Sequence, residues 1–294
     1  MYLNLNILVS IFCWGIWGIA DKKALHAASQ IEVIIYLYIV TALLVPIAAL
    51  VTYCINPSWQ LNHSVMFWTG LAAATYLLAM FAYIGAMKRT EASYVLGITA
   101  SYPLILQFLA TIFLKEPFVP QRMLGAIVIA SGLILIGGSG AEKSSSSEKK
   151  GKMLVWFLIA VATLCWGIYG LFDKKALESG SALEVFVSQR LWDIVALGLI
   201  MAIVFLRKTK LDFTKAQAWL FCAISGAALA LGGFCYLQAL ARASASYVIT
   251  ITGCYPLVMY FFALLLLKEK FNRNRFVGIL LIVVGGILVQ LTQS

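Results

Sequence analysis

Charged residues are scarce in this chain: only 12% of its 294 residues are Asp, Glu, Lys or Arg, where a soluble domain carries about a quarter. With 62% of the residues hydrophobic, that shortage excludes an ordinary soluble globule and points to a membrane protein. Histidine is rarer still. His26 and His63 stand alone, without a partner at metal-ligand spacing, so no metal site is expected. Cys13, Cys54, Cys165, Cys222, Cys235 and Cys254 form no CxxC pair and lie mostly in apolar runs, which suits small packing residues rather than disulfides or metal ligands. Also missing are a Ser/His/Asp set, a phosphate-binding glycine loop and an HExxH helix. The chain therefore reads as a non-enzyme without a cofactor, and it leaves no room for the nucleotide domain of an ATP-driven pump. Its first ten residues, MYLNLNILVS, contain no Lys or Arg, unlike the basic start of a signal peptide, and read as the beginning of a span.

What fills the chain is apolar sequence. A helical span takes about 17–25 mostly apolar residues, and ten such runs follow one another at 5–25, 31–53, 65–87, 92–114, 121–139, 153–173, 183–206, 217–239, 245–267 and 274–292. The formal net charge of +10 resides in short loops between these runs, as expected of a bilayer protein. That distribution excludes a nucleic-acid partner.

The chain is written twice. CWGIWGIADKKAL at 13–25 returns as CWGIYGLFDKKAL at 165–177, Tyr102-Pro103-Leu104 as Tyr255-Pro256-Leu257, and Leu114-Lys115-Glu116 as Leu267-Lys268-Glu269. Arg122, Gly125 and Gly132 are matched by Arg275, Gly278 and Gly285, so the chain is a duplication. Residues 1–139 form the first half, 153–294 the second, and the Ser- and Lys-rich stretch 140–152 reads as a solvated linker. Each half holds five spans, and five is odd, so the second half enters the bilayer from the opposite side. The expected fold is an all-α membrane protein of ten transmembrane helices, arranged as two inverted five-helix repeats around a central cavity, a plan shared by secondary transporters.

Polar residues inside the spans mark candidate sites. At 100° per residue, Trp14, Gly18 and Asp21 share a stripe with Lys22 close by, while Lys23 points to the back; Trp166, Gly170, Asp173 and Lys174 repeat the arrangement, with Lys175 at the back. Lys22 lies roughly 25 Å along the helix from Leu5, which suits either a partner in a wet cavity or snorkelling to the interface. Asp21 and Asp173 are expected to pair with these lysines, or to carry the coupling ion, for which a proton is the candidate. Arg190 and Asp193 lie one turn apart in span seven, as an ion pair or a solute site. Tyr38 occupies the position equivalent to Arg190, and that asymmetry favours function. Trp14, Trp17, Trp166 and Tyr169 offer aromatic faces. Tyr83 with Tyr236, Tyr94 with Tyr247, Thr99 with Thr252, and Tyr102 with Tyr255 are matched polar-tipped pairs. Pro103 and Pro256 each remove a helix hydrogen bond in mid-span, marking spans four and nine as cavity walls and bending points.

At these residues the sequence resembles the EamA family of the drug/metabolite transporter superfamily. The patterns WGIW…K and WGIY…K, and the segments YPLILQFLATIFLKEPFVPQRMLG and YPLVMYFFALLLLKEKFNRNRFVG, carry the resemblance, which extends over essentially the whole chain. It implies a ten-helix carrier whose cavity is lined by helices one to four of each half, with family members exporting amino acids and other metabolites and relatives moving sugars or nucleotide-sugars. The family's helix-one Lys falls on Lys22 and Lys174 and its helix-two Arg on Arg190 alone. Small multidrug resistance proteins have a Glu in helix one where this chain has Trp14 and Trp166, which disfavours export of lipophilic cations by their mechanism.

The resulting expectation is a multi-pass protein of the cell (inner) membrane, a monomer or homodimer in contact with membrane lipids, that moves a small polar organic metabolite by alternating access. An amino acid or similar zwitterion is the first choice, since a carboxylate suits Lys22, Lys174 or Arg190 while aromatic faces hold an ammonium. A sugar-like neutral solute is the alternative, and a non-transporting interaction subunit belongs to a different class. Of the 22 Lys and Arg residues, the terminal side holds Lys115, Arg122, Lys174, Lys175 and Arg242, and most of the others fall on the linker side. The charge bias therefore places the linker in the cytoplasm and both termini outside, opposite to the orientation in which relatives are drawn.

Overall fold

The computed structural model describes residues 2–55, 62–138, 146–268 and 272–292; residues 140–145 of the expected linker, together with Glu269, Lys270 and Ser294, lie outside the described residues. Among the described residues every regular element is a helix: α1 (Tyr2–Ala27), α2 (Gln30–Ala42), α3 (Val45–Ile55), α4 (His63–Met87), α5 (Ala92–Thr99), α6 (Tyr102–Phe113), α7 (Pro120–Gly138), α8 (Ser146–Leu177), α9 (Ala182–Leu206), α10 (Ala216–Leu240), α11 (Ala245–Thr252), α12 (Tyr255–Leu266) and α13 (Arg273–Gln290). Among the described residues eight helical segments are long and apolar enough to cross a membrane, while Tyr102–Phe113 and Pro120–Leu135 are shorter apolar helices. Length and hydropathy thus support eight of the ten expected crossings. The two expected spans not among them are 92–114 and 121–139, which correspond to α5–α6 and α7. Residues 146–152, read from sequence as linker, extend α8 at its start.

Three expected spans are broken. In two of them the new helix begins with Tyr-Pro, placing Pro103 and Pro256 in the first turns of α6 and α12, where a missing N–H leaves nothing unsatisfied. The third break, between α2 and α3 ahead of Pro46, was not expected. α6 and α12 also end alike. Lys115 and Lys268 both sit at φ 54°, the left-handed conformation in which helices commonly stop.

The halves interlock. α1 packs most extensively on α10 and α8 on α4, so the first helix of each half lies against the third helix of the other. The fifth helices, α7 and α13, cross each other. A Cβ added at Gly132 would meet the Gly278 carbonyl at 2.4 Å, and one at Gly125 would meet that of Gly285 at 2.8 Å. These equivalent helices therefore run antiparallel, with glycines permitting backbone contact where apolar side chains would hold them apart.

The repeated stretch owes its glycines to the same requirement. Gly15 faces Val258 of α12 and Gly167 faces the equivalent Ile105 of α6; Gly18 meets Leu96 of α5 and Gly170 meets Ile249 of α11. Each copy is thus pressed against the broken helices of both halves. Its lysine closes the end: Lys22 Nζ donates to the carbonyls of Met87 (2.9 Å) and Thr90 (2.7 Å), and Lys174 Nζ to those of Leu240 (2.7 Å) and Ala243 (2.8 Å). Both cations cap the C-terminal end of the third helix of their own half, where free carbonyls and the helix dipole favour positive charge. Lys23 lies over the Phe221 ring, and Lys175 pairs with exposed Glu178 at 2.9 Å.

The helix junctions near the terminal side and opposite it are also cross-linked. Glu116 accepts from the amides of Ala245 (2.6 Å) and Ser246 (3.1 Å) at the start of α11, while Arg122 donates to the Ser244 and Ser246 hydroxyls at 2.9 and 2.7 Å. At the other end Arg275 pairs with Glu91, the N-cap of α5, at 2.6 Å. Arg122 and Arg275 are therefore buried structural cations, although the charge count treats them as loop residues.

Candidate central binding site

Between the halves lies a cavity of about 90 Å³, which exceeds the roughly 10–15 Å³ that one water requires. Its wall is largely aromatic. Trp14 and Trp17 come from α1, Tyr76 from α4, Tyr102 from α6, Trp166 and Tyr169 from α8, Tyr236 from α10 and Tyr255 from α12. The rings brace one another in symmetry-related contacts: Trp14 meets Tyr236 at 5.3 Å and Tyr255 at 6.0 Å, and Trp166 meets Tyr83 at 5.3 Å and Tyr102 at 6.3 Å. Trp17 and Trp166 touch across the halves at 5.7 Å.

One side is polar. Phe186, Gln189, Arg190 and Asp193 line the cavity from α9, a spacing that puts all four on one helical face. Arg190 and Asp193 form an ion pair at 2.8 Å, both largely buried, with the guanidinium over the Phe186 ring. Gln189 Nε2 donates to Asp173 Oδ1 at 2.7 Å and to the Tyr169 hydroxyl at 3.1 Å. The first half has Leu37 and Tyr38 where α9 has Gln189 and Arg190, and the charged lining of the cavity comes from α9.

Of the residues singled out from sequence, Trp14, Trp17, Tyr102, Trp166, Tyr169, Arg190, Asp193, Tyr236 and Tyr255 line this cavity. Tyr83 stands one ring behind, against Trp17 at 5.0 Å. The others lie off the wall. Tyr94 packs on Trp156, Tyr247 donates to Gln290 at 2.9 Å, and the Thr99 and Thr252 hydroxyls donate back into their own helices, to Val95 and Val248. Lys22 and Lys174 hold helix ends. The expected Asp–Lys pairs are not formed: Asp21 accepts from the Ser225 hydroxyl at 2.6 Å and Asp173 from Gln189, because each neighbouring lysine reaches carbonyls instead. Gln189 and Tyr76 were missed from sequence. The stripe 186, 189, 190, 193 was the available signal for Gln189; for Tyr76 there was none, since its equivalent is Leu229.

The EamA-like transporter family model matches residues 1–138 and again 153–291. The chain belongs to this family. The two matches are the two halves of the duplication, and the family lies within the drug/metabolite transporter superfamily. The EamA assignment makes the chain a multi-pass integral membrane protein of transporter type. No curated protein matches it. A solved structure described as "Crystal structure of protein" is similar at 12% identity and a TM-score of 0.76, covering 98% of this chain and 97% of that one; at such identity the likeness is one of fold.

Proposed function

We propose that this EamA-family chain crosses the inner membrane ten times and carries a small zwitterion, an amino acid or close analogue, by alternating access between its two inverted halves. The observation that carries the reading is the single charged flank, Arg190 beside Asp193, facing an aromatic wall contributed by both halves. A solute carboxylate pairs with the guanidinium through charge-assisted hydrogen bonds, and an ammonium is held by the faces of Trp14, Trp17 and Trp166. The antiparallel fifth helices support the inverted arrangement. α5–α6 and α7 supply the two crossings that hydropathy alone does not count.

The same aromatic wall suits a sugar-like neutral solute, with Gln189 and the tyrosine hydroxyls as its polar contacts. Counterflow of a mixed metabolite pool into proteoliposomes containing the purified protein, read by mass spectrometry, separates the two. Selective enrichment of amino acids is expected; enrichment of sugars would replace the zwitterion by the neutral solute, and no enrichment of any solute would overturn carriage itself.

A further inference from the structure

Asp173 is fully buried, and its Oδ2 has no hydrogen-bond partner among the described residues. Its sequence neighbour Lys174 is committed to the Leu240 and Ala243 carbonyls. The groups that face it are Tyr169 on its own helix, Gln189 and Arg190 from α9, and Tyr236 from α10. α11 and α6 present Ile249 and Leu106 beside Gly170, and Tyr76 of α4 stands behind Tyr169 at 5.4 Å. The neighbourhood therefore holds one guanidinium and two carboxyl groups, and Asp193 already occupies the guanidinium at 2.8 Å. A second ionised carboxylate would be an uncompensated charge in a low-dielectric interior, which is strongly disfavoured.

We propose that Asp173 holds an exchangeable proton, and that this proton and the carboxylate of the solute bind together. The linkage rests on the zwitterion reading above, and its physical basis is the shared guanidinium. Asp193 already balances the Arg190 guanidinium, so a solute carboxylate that joins them there adds a further negative charge beside Asp173, and its repulsion makes Asp173 retain its proton. By reciprocity the solute binds more tightly when Asp173 is protonated. The proton comes from solvent; Gln189, which donates to the carboxyl, and Tyr169 both line the cavity, and no other bond forms or breaks. Asp21 is the built-in comparison: it is equally buried and accepts from Ser225, but Tyr38 stands where a guanidinium would be needed, so it carries no such linkage.

Two measurements test this on the purified full chain. In the infrared spectrum, Asp173→Asn, which keeps the acceptor for Gln189, is expected to remove a carboxylic-acid C=O band present in the wild type at neutral pH. An unchanged band intensity in that variant overturns the proton site whether or not any solute binds. In the second, binding of L-alanine and L-phenylalanine is measured in acid and in alkaline buffer. The wild type is expected to bind about five-fold or more tightly in acid, Asp21→Asn to behave likewise, and Asp173→Asn to lose the dependence. Persistence of the full pH dependence in Asp173→Asn, or its reversal in the wild type, overturns the linkage. If neither amino acid binds at any pH while the band is lost, the zwitterion reading and the linkage fail together and the proton site stands.

Discussion

Lys22 donates to the carbonyl of Met87 at 2.9 Å and Lys174 to that of Leu240 at 2.7 Å, so the most conspicuous cation of the repeated stretch closes a helix in each half. Lys22→Ala and Lys174→Ala should each lower stability by about 1–3 kcal/mol, the range for hydrogen bonds to a charged group. Thermal unfolding in detergent reads this directly. Loss of solute binding with an unchanged melting temperature would instead place Lys22 at the binding site.

Arg190 and Asp193 should behave as a unit. Arg190→Ala leaves a buried carboxylate uncompensated and should cost about 3–5 kcal/mol of stability, along with solute binding. Arg190→Ala combined with Asp193→Ala should recover much of the stability and none of the binding. A double variant that binds as the wild type does would remove the guanidinium from the site.

The α7–α13 crossing depends on glycine. Gly132→Ala places a Cβ 2.4 Å from the Gly278 carbonyl and should destabilise by about 1–3 kcal/mol through forced backbone separation. Gly198→Ala in α9, where nothing lies within 4 Å of the added Cβ, should stabilise by up to about 1 kcal/mol. Equal melting temperatures for the two variants would contradict this packing.

Glu116 anchors the first turn of α11 through two amides and the Ser246 hydroxyl. Glu116→Ala should therefore speed hydrogen exchange at Ala245 and Ser246 by about ten-fold or more, since a charge-assisted hydrogen bond contributes about 1.5–3 kcal/mol. Exchange in α5, at the opposite end, should be unaffected; if it rises equally, the two latches are not independent.

Orientation is decided by labelling single cysteines placed at Ser146 or Ser294 in a cysteine-free background. The charge bias predicts that an impermeant maleimide added to intact cells reaches position 294 and not 146. The reverse pattern would restore the orientation in which relatives are drawn.

The duplication, eight of the spans and two of the three breaks were legible in the sequence because they depend on local chemistry. A long apolar run in lipid satisfies its own backbone as a helix, a half with an odd number of spans inverts its copy, and a mid-span proline marks a bend or break. What Lys22, Asp21 and the matched tyrosines do was not legible, because a helix periodicity gives the direction of a side chain and not what it meets. Whether Lys22 faces a solute or the end of α4 depends on where Met87 and Thr90 fall, sixty-odd residues away along the chain. Thr99 and Thr252 are polar and symmetric, yet their hydroxyls are satisfied one turn back within their own helices. The asymmetry of Arg190 against Tyr38 was visible in the linear order of residues; that it faces an aromatic wall drawn from both halves was decided only by the packing of α1 on α10 and α8 on α4, which brings together residues far apart along the chain.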